Sequence, residues 1–168
     1  MKIGILGGSF DPAHKGHLAI TKEARKRFKL DKIIWAITKK NPLKAESKTP
    51  ISKKIKDCKK IIGLNSFIKV KFYENIIKSN KTIDLINYLK KDKNIEIFFL
   101  MGADNLISFH KWHKSKLISQ KCNIIVFDRH GYKKNSLKSK TFKSLNSKTL
   151  TFVEFKKVNI SSSQLRKI

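Results

Sequence analysis

Two histidines that lie three residues apart follow a pair of glycines near the amino terminus. The segment is Gly7-Gly8-Ser9-Phe10-Asp11-Pro12-Ala13-His14-Lys15-Gly16-His17. Glycines 7 and 8 allow a ligand to approach the backbone without a side chain in the way, and the Asp11-Pro12 step predicts a turn. If His14 and His17 open a helix, its free N–H groups, its positive dipole end and both imidazoles favour an anion. The segment therefore predicts a phosphate-binding site.

Other sites that such residues could form are not favoured. A His-x-x-His pair can bind metal, but two ligands without a third make a poor zinc site. The sequence has neither a Gly-x-x-x-x-Gly-Lys-[Ser/Thr] loop nor a Gly-x-Gly-x-x-Gly motif, which argues against a P-loop nucleoside triphosphatase and a dinucleotide-binding dehydrogenase. Cys58 and Cys122 cannot form a disulfide framework or a zinc site alone, and we expect both to be buried and unreactive.

A second candidate phosphate site lies at the carboxyl terminus, in the segment Ile160-Ser161-Ser162-Ser163-Gln164-Leu165-Arg166. Small hydroxyls cap a helix and bind phosphate oxygens, and Arg166 offers a planar fork to a phosphate. A serine run alone is usually a polar turn, but the histidine pair at the other end of the chain strengthens the hypothesis. The sequence ends two residues after Arg166, so we expect only about one helical turn behind this segment.

The middle of the chain contains a candidate ring-binding segment. An apolar run ends in Leu100-Met101-Gly102-Ala103-Asp104, and Phe109-His110-Lys111-Trp112-His113 follows soon after. Gly102 keeps the end of the strand open to a flat ring, and Asp104 can bind a ribose hydroxyl. Trp112 supplies a face on which an aromatic base can stack, although a tryptophan alone is more often a core residue.

Together these segments resemble a nucleotidyltransferase superfamily with a [His/Thr]-x-Gly-His signature and an Ile-Ser-Ser-[Ser/Thr]-x-x-[Arg/Lys] segment. Within it, the Gly-Ala-Asp segment and the following tryptophan are similar to those of the bacterial nicotinate mononucleotide adenylyltransferases. The segment Asn41-Pro42-Leu43-Lys44 resembles the family's Pro-His-Lys loop, with Leu43 in place of the histidine. Thr82 matches a threonine of the pyridine pocket, and the segment around Arg129 resembles a loop near the adenine. The resemblance runs from Met1 to Arg166.

The resemblance implies transfer of the adenylyl group of ATP to nicotinate mononucleotide, with Mg²⁺ carried by ATP oxygens and water. The acceptor phosphate would attack the α-phosphorus directly, without a covalent enzyme intermediate, and pyrophosphate would leave. The implied catalytic residues are His14, His17, Lys44 and Arg166. The implied ATP-binding residues are Gly7, Gly8, Ser9, Phe10, His14, His17, Gly102, Asp104, Arg129, Ser162, Ser163 and Arg166. The implied acceptor-binding residues are Lys44, Thr82, Trp112 and His113.

Three alternatives stay open at this point. The same chemistry could act on nicotinamide mononucleotide or phosphopantetheine, the short end after Arg166 could leave a protein that only binds nucleotide, or the chain could be a basic nucleic-acid-binding module. The net charge is +27, from 39 basic and 12 acidic residues. Only four of the basic residues are arginines, and the lysines are spread along the chain, so we expect no specific nucleic-acid partner.

Strands and helices must position these residues, and they alternate along the chain. This alternation predicts one α/β domain over residues 1–168, a Rossmann-like doubly wound fold with a mostly parallel sheet. Strands are predicted at Lys2–Leu6, Lys32–Ile37, Phe67–Tyr73, Ile95–Met101, Cys122–Phe127 and Thr151–Phe155. Helices are predicted at His17–Phe28, from Ile51 to Ile62, and after Thr82 as N-cap. In such a sheet, ligands bind beyond the carboxyl ends of the strands. We see no signal peptide or membrane span and expect a cytoplasmic protein, either a monomer or a homo-oligomer.

Overall fold

A six-stranded parallel sheet forms the centre of the protein. The computed structural model describes residues 1–39, 48–128 and 150–154, and within these ranges the strand order is β3-β2-β1-β4-β5-β6. Every neighbouring pair is parallel. The strands are β1 (Lys2–Gly8), β2 (Lys32–Ile37), β3 (Ile68–Lys71), β4 (Glu96–Gly102), β5 (Asn123–Asp128) and β6 (Leu150–Glu154). The predicted α/β class is confirmed.

Helices cover both faces of the sheet. They are α1 (Lys15–Phe28), α2 (Ile51–Ile62), α3 (Glu74–Ile77), α4 (Thr82–Leu89), α5 (Ala103–Ser108) and α6 (Ser115–Lys121), with a 3₁₀ turn at Phe109–Lys111. Side chains of a strand alternate between faces. Thus Ile33 and Trp35 of β2 join α1 and α2 in one apolar core, whereas Ile34 joins α4, α5 and α6 in a second.

The reversal of strand order lies between β1 and β4, at the centre of the sheet. The register pairs Leu6 with Leu100 and Gly8 with Ile37. The carboxyl ends of β1, β2 and β4 therefore lie level with one another. This is the crevice in which parallel α/β sheets bind their ligands.

Several predicted boundaries differ from the structure. Helix α1 begins at Lys15 rather than His17, because His14 serves as its N-cap. Thr82 is the first residue of α4 rather than its N-cap, which is Lys81. Helices α3, α5 and α6 were not predicted, and each has four to seven residues. The segment 133–148, predicted to be a surface loop, lies outside the described residues, as do residues 41–47 of the predicted loop before α2.

Within the described ranges, no helix combines the length and apolar character that a membrane crossing requires.

Candidate functional site

The segment between β1 and α1, here called the first loop, leads into helix α1. His14 and His17 cap the start of this helix, and each ring accepts a hydrogen bond from the backbone of the other residue. The Nδ1 atom of His14 accepts a hydrogen bond from the Gly16 N–H at 3.0 Å, and the His14 N–H donates to Nδ1 of His17 at 3.1 Å. The pair thus forms a capping box in which imidazoles take the place of the usual serine and glutamate. Their ring centroids lie 3.9 Å apart. The spacing of three residues therefore brings the predicted pair together.

This arrangement fixes which nitrogen of each ring carries the proton. Because a backbone N–H donates to Nδ1 in both rings, the neutral imidazole must carry its own proton on Nε2. Each ring is thus prepared to donate from Nε2. The first turn of this 14-residue helix contains no acidic residue, and the positive end of the helix dipole lies there. The helix start therefore offers hydrogen-bond donors and positive potential to a phosphate.

A buried aromatic support holds His17 in place. Phe10 stacks on Trp35, with ring centroids 5.1 Å apart, and its ring centroid lies 4.6 Å from that of His17. The Trp35 indole N–H donates to the Thr21 hydroxyl at 2.9 Å, and that hydroxyl donates to the His17 carbonyl at 2.7 Å. These two hydrogen bonds attach helix α1 to the fully buried Trp35 of β2.

Phe10 was expected among the ATP-binding residues, and its side chain is only 2% exposed. It has a positive φ of 48°, a conformation that is rare for a bulky residue. The ring therefore packs against His17 and Trp35, and the residue as a whole presents almost no surface to a ligand. Sequence reasoning missed this support, and the run of β-type residues around Trp35 gave no sign of it.

Gly7 and Gly8 lie where β1 ends, and the fold itself does not require glycine at either position. A Cβ added at Gly7 would meet only Phe99 at 3.8 Å, and one at Gly8 would come no closer than 3.6 Å to Phe10. Gly4 differs, since its Cβ would lie 2.9 Å from Leu30. Packing thus explains Gly4, whereas a Cβ at Gly7 or Gly8 would make only ordinary van der Waals contacts. Gly7 is exposed, which fits the prediction that a ligand approaches the backbone there.

The candidate ring-binding residue Trp112 packs close to this edge. Its ring makes edge-on contacts with Phe99, at a centroid distance of 5.9 Å, and with Phe109 at 5.0 Å. Phe99 is also the residue that a Cβ at Gly7 would meet, so one phenyl ring lies between Trp112 and the end of β1. Trp112 is half-buried and packs against the second apolar core, and its use as a stacking surface stays a prediction.

Ser9 follows β1 and is half-buried, and the other described candidates lie at the end of β4 or in the segments that follow β3 and β4. Gly102 ends β4 and is the N-cap of α5, and the exposed Asp104 lies in the first turn of that helix. Thr82 is half-buried at the start of α4, and His113 is exposed. Five further predicted residues lie outside the described ranges. They are Lys44, Arg129, Ser162, Ser163 and Arg166.

Two polar residues outside the predicted set also contribute to the edge. The Thr49 hydroxyl donates to the Asp11 carboxylate at 2.7 Å, which connects the residues before α2 to the first loop. Lys54 of α2 is 1% exposed, and its ammonium donates to the Thr38 carbonyl at 3.3 Å. Lys54 lies four residues before Cys58 on the apolar stripe of α2, and this spacing was the signal that could have identified it.

Burial sets the titration of several groups around these elements. It raises the pKa of both Cys58 and Cys122 to about 12, so neither thiol forms a thiolate at neutral pH. Both cysteines are buried, as predicted. Burial also raises the pKa of Glu74, although the nearby Lys54 and Lys39 act in the opposite direction. No cysteine therefore belongs to the reactive part of the site.

Comparison with known proteins gives concordant results. Residues 5–168 match the cytidylyltransferase-like family. A protein of Pelagibacter ubique described as "Probable nicotinate-nucleotide adenylyltransferase" is 68% identical over 167 residues, which cover 99% of this chain and 93% of that protein. A protein of Cereibacter sphaeroides with the same description is 35% identical over 132 residues, covering 78% of this chain and 69% of its own length.

A solved structure of similar fold is the Plasmodium falciparum nicotinic acid mononucleotide adenylyltransferase complexed with NaAD. It superposes with a TM-score of 0.79 at 22% sequence identity, covering 99% of this chain and 82% of that one. The same enzyme complexed with APC gives a TM-score of 0.80. At this identity the likeness concerns the fold, a nucleotidyltransferase-type Rossmann-like sheet. From the family match and the identity to the Pelagibacter protein, it follows that the chain belongs to the nicotinate-nucleotide adenylyltransferase family, the nucleotidyltransferases of NAD biosynthesis.

Proposed function

We propose that the protein transfers the adenylyl group of ATP to nicotinate mononucleotide. A phosphate oxygen of the acceptor forms a bond to the α-phosphorus while the bond from that phosphorus to the β-phosphate oxygen breaks. The products are nicotinate adenine dinucleotide and pyrophosphate. The observation that carries the proposal is the reciprocal cap of His14 and His17 at the switch point of the sheet.

The chemistry needs little from the protein except position and charge. In phosphoryl-type transfer, catalysis comes from alignment of the reactants and from donors aimed at the developing charge. His14 and His17 would donate from Nε2 to the triphosphate, and the amino end of α1 would add its dipole. The exposed Gly7 and the half-buried Gly8 would let the nucleotide approach the backbone.

The acceptor would bind on the other side of the same crevice. Trp112 would stack on the pyridine ring, and Thr82 would line the pocket from the start of α4. Gly102 and Asp104 would help to hold the ATP nucleoside. Lys44 would approach a phosphate, and Arg129 the adenine. Ser162, Ser163 and Arg166 would hold the departing pyrophosphate, and these last five assignments rest on sequence motifs alone.

We assign Mg²⁺ to ATP rather than to a protein cage. In the described ranges, no three His, Cys, Asp or Glu side chains are grouped as a metal site would need, and both histidine Nδ1 atoms accept backbone hydrogen bonds. Mg²⁺ usually keeps several waters and binds through substrate phosphates, so it would need no ligand from the two histidines. When bound, the ion would neutralise part of the phosphate charge.

Cytoplasmic localisation and the choice between monomer and homo-oligomer stay predictions.

A pyrophosphate-release assay with Mg-ATP tests the proposal. Nicotinate mononucleotide, nicotinamide mononucleotide and phosphopantetheine would be supplied in parallel, with each product identified by its mass. We expect rapid release with the nicotinate compound. Faster release with either of the other acceptors would reject the assigned substrate but keep the reaction type.

A salt series distinguishes the enzyme from the nucleic-acid-binding alternative. Binding to DNA or RNA through phosphate contacts weakens steeply as salt rises and does not depend on ATP. If such binding is tight, and no acceptor releases pyrophosphate from bound ATP, adenylyl transfer is rejected. His17→Asn, measured beside wild type in every arm, separates release that depends on the histidine from background release.

A further inference from the structure

Helix α2 contains a buried cation that none of the predicted site motifs includes. Lys54 is 1% exposed and lies on the stripe of α2 that faces the core, together with Cys58 and Ile62. Lysine is almost never fully buried, because removing an ammonium from water is costly unless hydrogen bonds and opposite charge compensate. Its neighbour Lys53 shows the usual behaviour, since it is exposed and paired with Asp57 at 2.8 Å. A buried lysine at this place therefore needs an explanation.

The ammonium of Lys54 binds the first peptide unit beyond β2. It donates to the Thr38 carbonyl at 3.3 Å, and the N–H of Thr38 donates to the Gly8 carbonyl at 2.9 Å. Thr38 is thus attached to the end of β1 on one side and to α2 on the other. A displacement of Thr38 would therefore displace Gly8, which lies at the end of β1 before the two histidines.

Glu74 completes the polar surroundings of this position. Its Oε2 accepts a hydrogen bond from the Lys39 N–H at 3.4 Å. Glu74 and Lys54 therefore bind the two ends of the same peptide group, which joins Thr38 to Lys39. Lys54 lies near enough to lower the pKa of this carboxyl, although burial has the larger and opposite effect. Among the described residues, two buried side-chain oxygens have no hydrogen-bond partner, and they belong to Thr38 and Glu74. The end of β2 is therefore a half-buried polar junction, in which Lys54, Thr38 and Glu74 meet.

We propose that Lys54 is a positioning residue for adenylyl transfer: its buried ammonium holds the carboxyl end of β2 level with Gly8, so that the nucleotide and the histidines meet in reacting geometry. Lys54 does not touch substrate in this account, because its side chain is enclosed. It acts through Thr38, and Glu74 supports it by holding Lys39. The inference rests on the proposed function, whose own test is the turnover of the unaltered protein.

The main test compares Lys54→Met with Lys54→Arg and with the exposed control Lys53→Met. Methionine keeps the length and apolar stem of lysine, and replacement of a buried ion by an apolar isostere is often nearly neutral for stability. We expect Lys54→Met to lower kcat by about 10- to 100-fold, since a misplacement near 1 Å can have an effect of that size. KM for ATP should change much less. Lys54→Arg, which keeps a cation and donor, should restore most of the activity, and Lys53→Met should behave as wild type.

Turnover must be expressed per folded molecule, with the folded fraction taken from near-UV circular dichroism. A loss of turnover that follows the folded fraction alone would make Lys54 structural and overturn the proposal. Wild-type kcat in Lys54→Met would overturn it as well.

If Lys54→Met does not fold, Glu74→Gln tests the same junction without touching Lys54. We expect a smaller fall in kcat with a melting temperature at neutral pH that is no lower than that of wild type. Wild-type kcat in Glu74→Gln, together with a Lys54→Met chain that does not fold, would reject the positioning role. Inactive unaltered protein would instead reject the proposed function itself.

Discussion

Replacing His17 separates its role as a helix cap from its role toward phosphate. His17→Ala removes the acceptor at 3.1 Å from the His14 N–H and the ring contact with Phe10 at 4.6 Å. Loss of a cap costs about 1 kcal/mol, and loss of an aromatic contact about 0.5–1.5 kcal/mol. The sum is about 2 kcal/mol, which corresponds to a fall in melting temperature of roughly 4–8 °C for a chain of this size.

The expected loss of turnover is far larger than that. A protein with a typical stability of roughly 5–15 kcal/mol remains folded at 25 °C after losing about 2 kcal/mol. Removal of one preorganised donor to a developing charge lowers kcat by about 10²–10³-fold. The folded fraction cannot account for such a change. Pyrophosphate release at saturating substrates, beside a thermal melt of the same sample, measures both quantities.

Two conservative variants assign the effect to single nitrogens. Asn places an acceptor near the position of Nδ1 but cannot reach that of Nε2, so His17→Asn should melt above His17→Ala and show the same large loss of turnover. Gln places a donor near Nε2 but loses the cap, so His17→Gln should melt lower and retain part of the turnover. Equal turnover in the Asn variant and the wild type would refute the assignment. A loss in His17→Ala that disappears at low temperature would refute it too.

Three further predictions concern groups elsewhere in the molecule. Trp112→Ala should raise KM for nicotinate mononucleotide more than KM for ATP in steady-state kinetics, and equal increases would make Trp112 structural. Cys58 and Cys122, each with a pKa raised to about 12, should resist a thiol reagent at pH 8 in the native protein and both react in denaturant, whereas one fast native thiol would contradict their burial. Glu74 has a raised folded-state pKa, so its contribution to stability is present below its ordinary pKa of 4.5 and is lost as pH rises through the folded pKa. The melting temperature of Glu74→Gln relative to wild type should therefore increase from pH 4 to pH 8, and a decrease would refute the sign.

The long periodic elements of the fold could be predicted from the sequence. The apolar spacing of Ile51, Ile55, Cys58 and Ile62 gave helix α2 its observed bounds, and β2 was also predicted with its observed bounds. Helices α3, α5 and α6 have at most seven residues, fewer than two helical turns, and such segments carry too little periodicity to identify. The start of α1 was placed two residues late, because histidine is not among the residues that usually cap helices.

The candidate site was predictable where it follows a motif and unpredictable where it depends on packing. The spacing of His14 and His17 indicated that the rings share one helix end, and the structure brings them together. The support beneath them comes from Phe10 and Trp35, which meet only because β1 and β2 are neighbours in the sheet. That contact joins residues far apart in sequence. The assignments of Lys44, Arg129, Ser162, Ser163 and Arg166 stay predictions.

Residues that hold the site differ in kind from residues that would bind the ligand. His14, His17 and Gly7 belong to a short motif at the edge of the sheet, whereas Trp35 and Lys54 are buried at a distance from it in sequence. A chain that kept the motif but lost the buried pair would keep those phosphate-binding groups and place them differently. Because phosphoryl transfer depends on alignment, such a chain should bind ATP and turn over slowly. Binding and turnover, measured side by side in Lys54 variants, would therefore show whether the motif or its buried support limits the reaction.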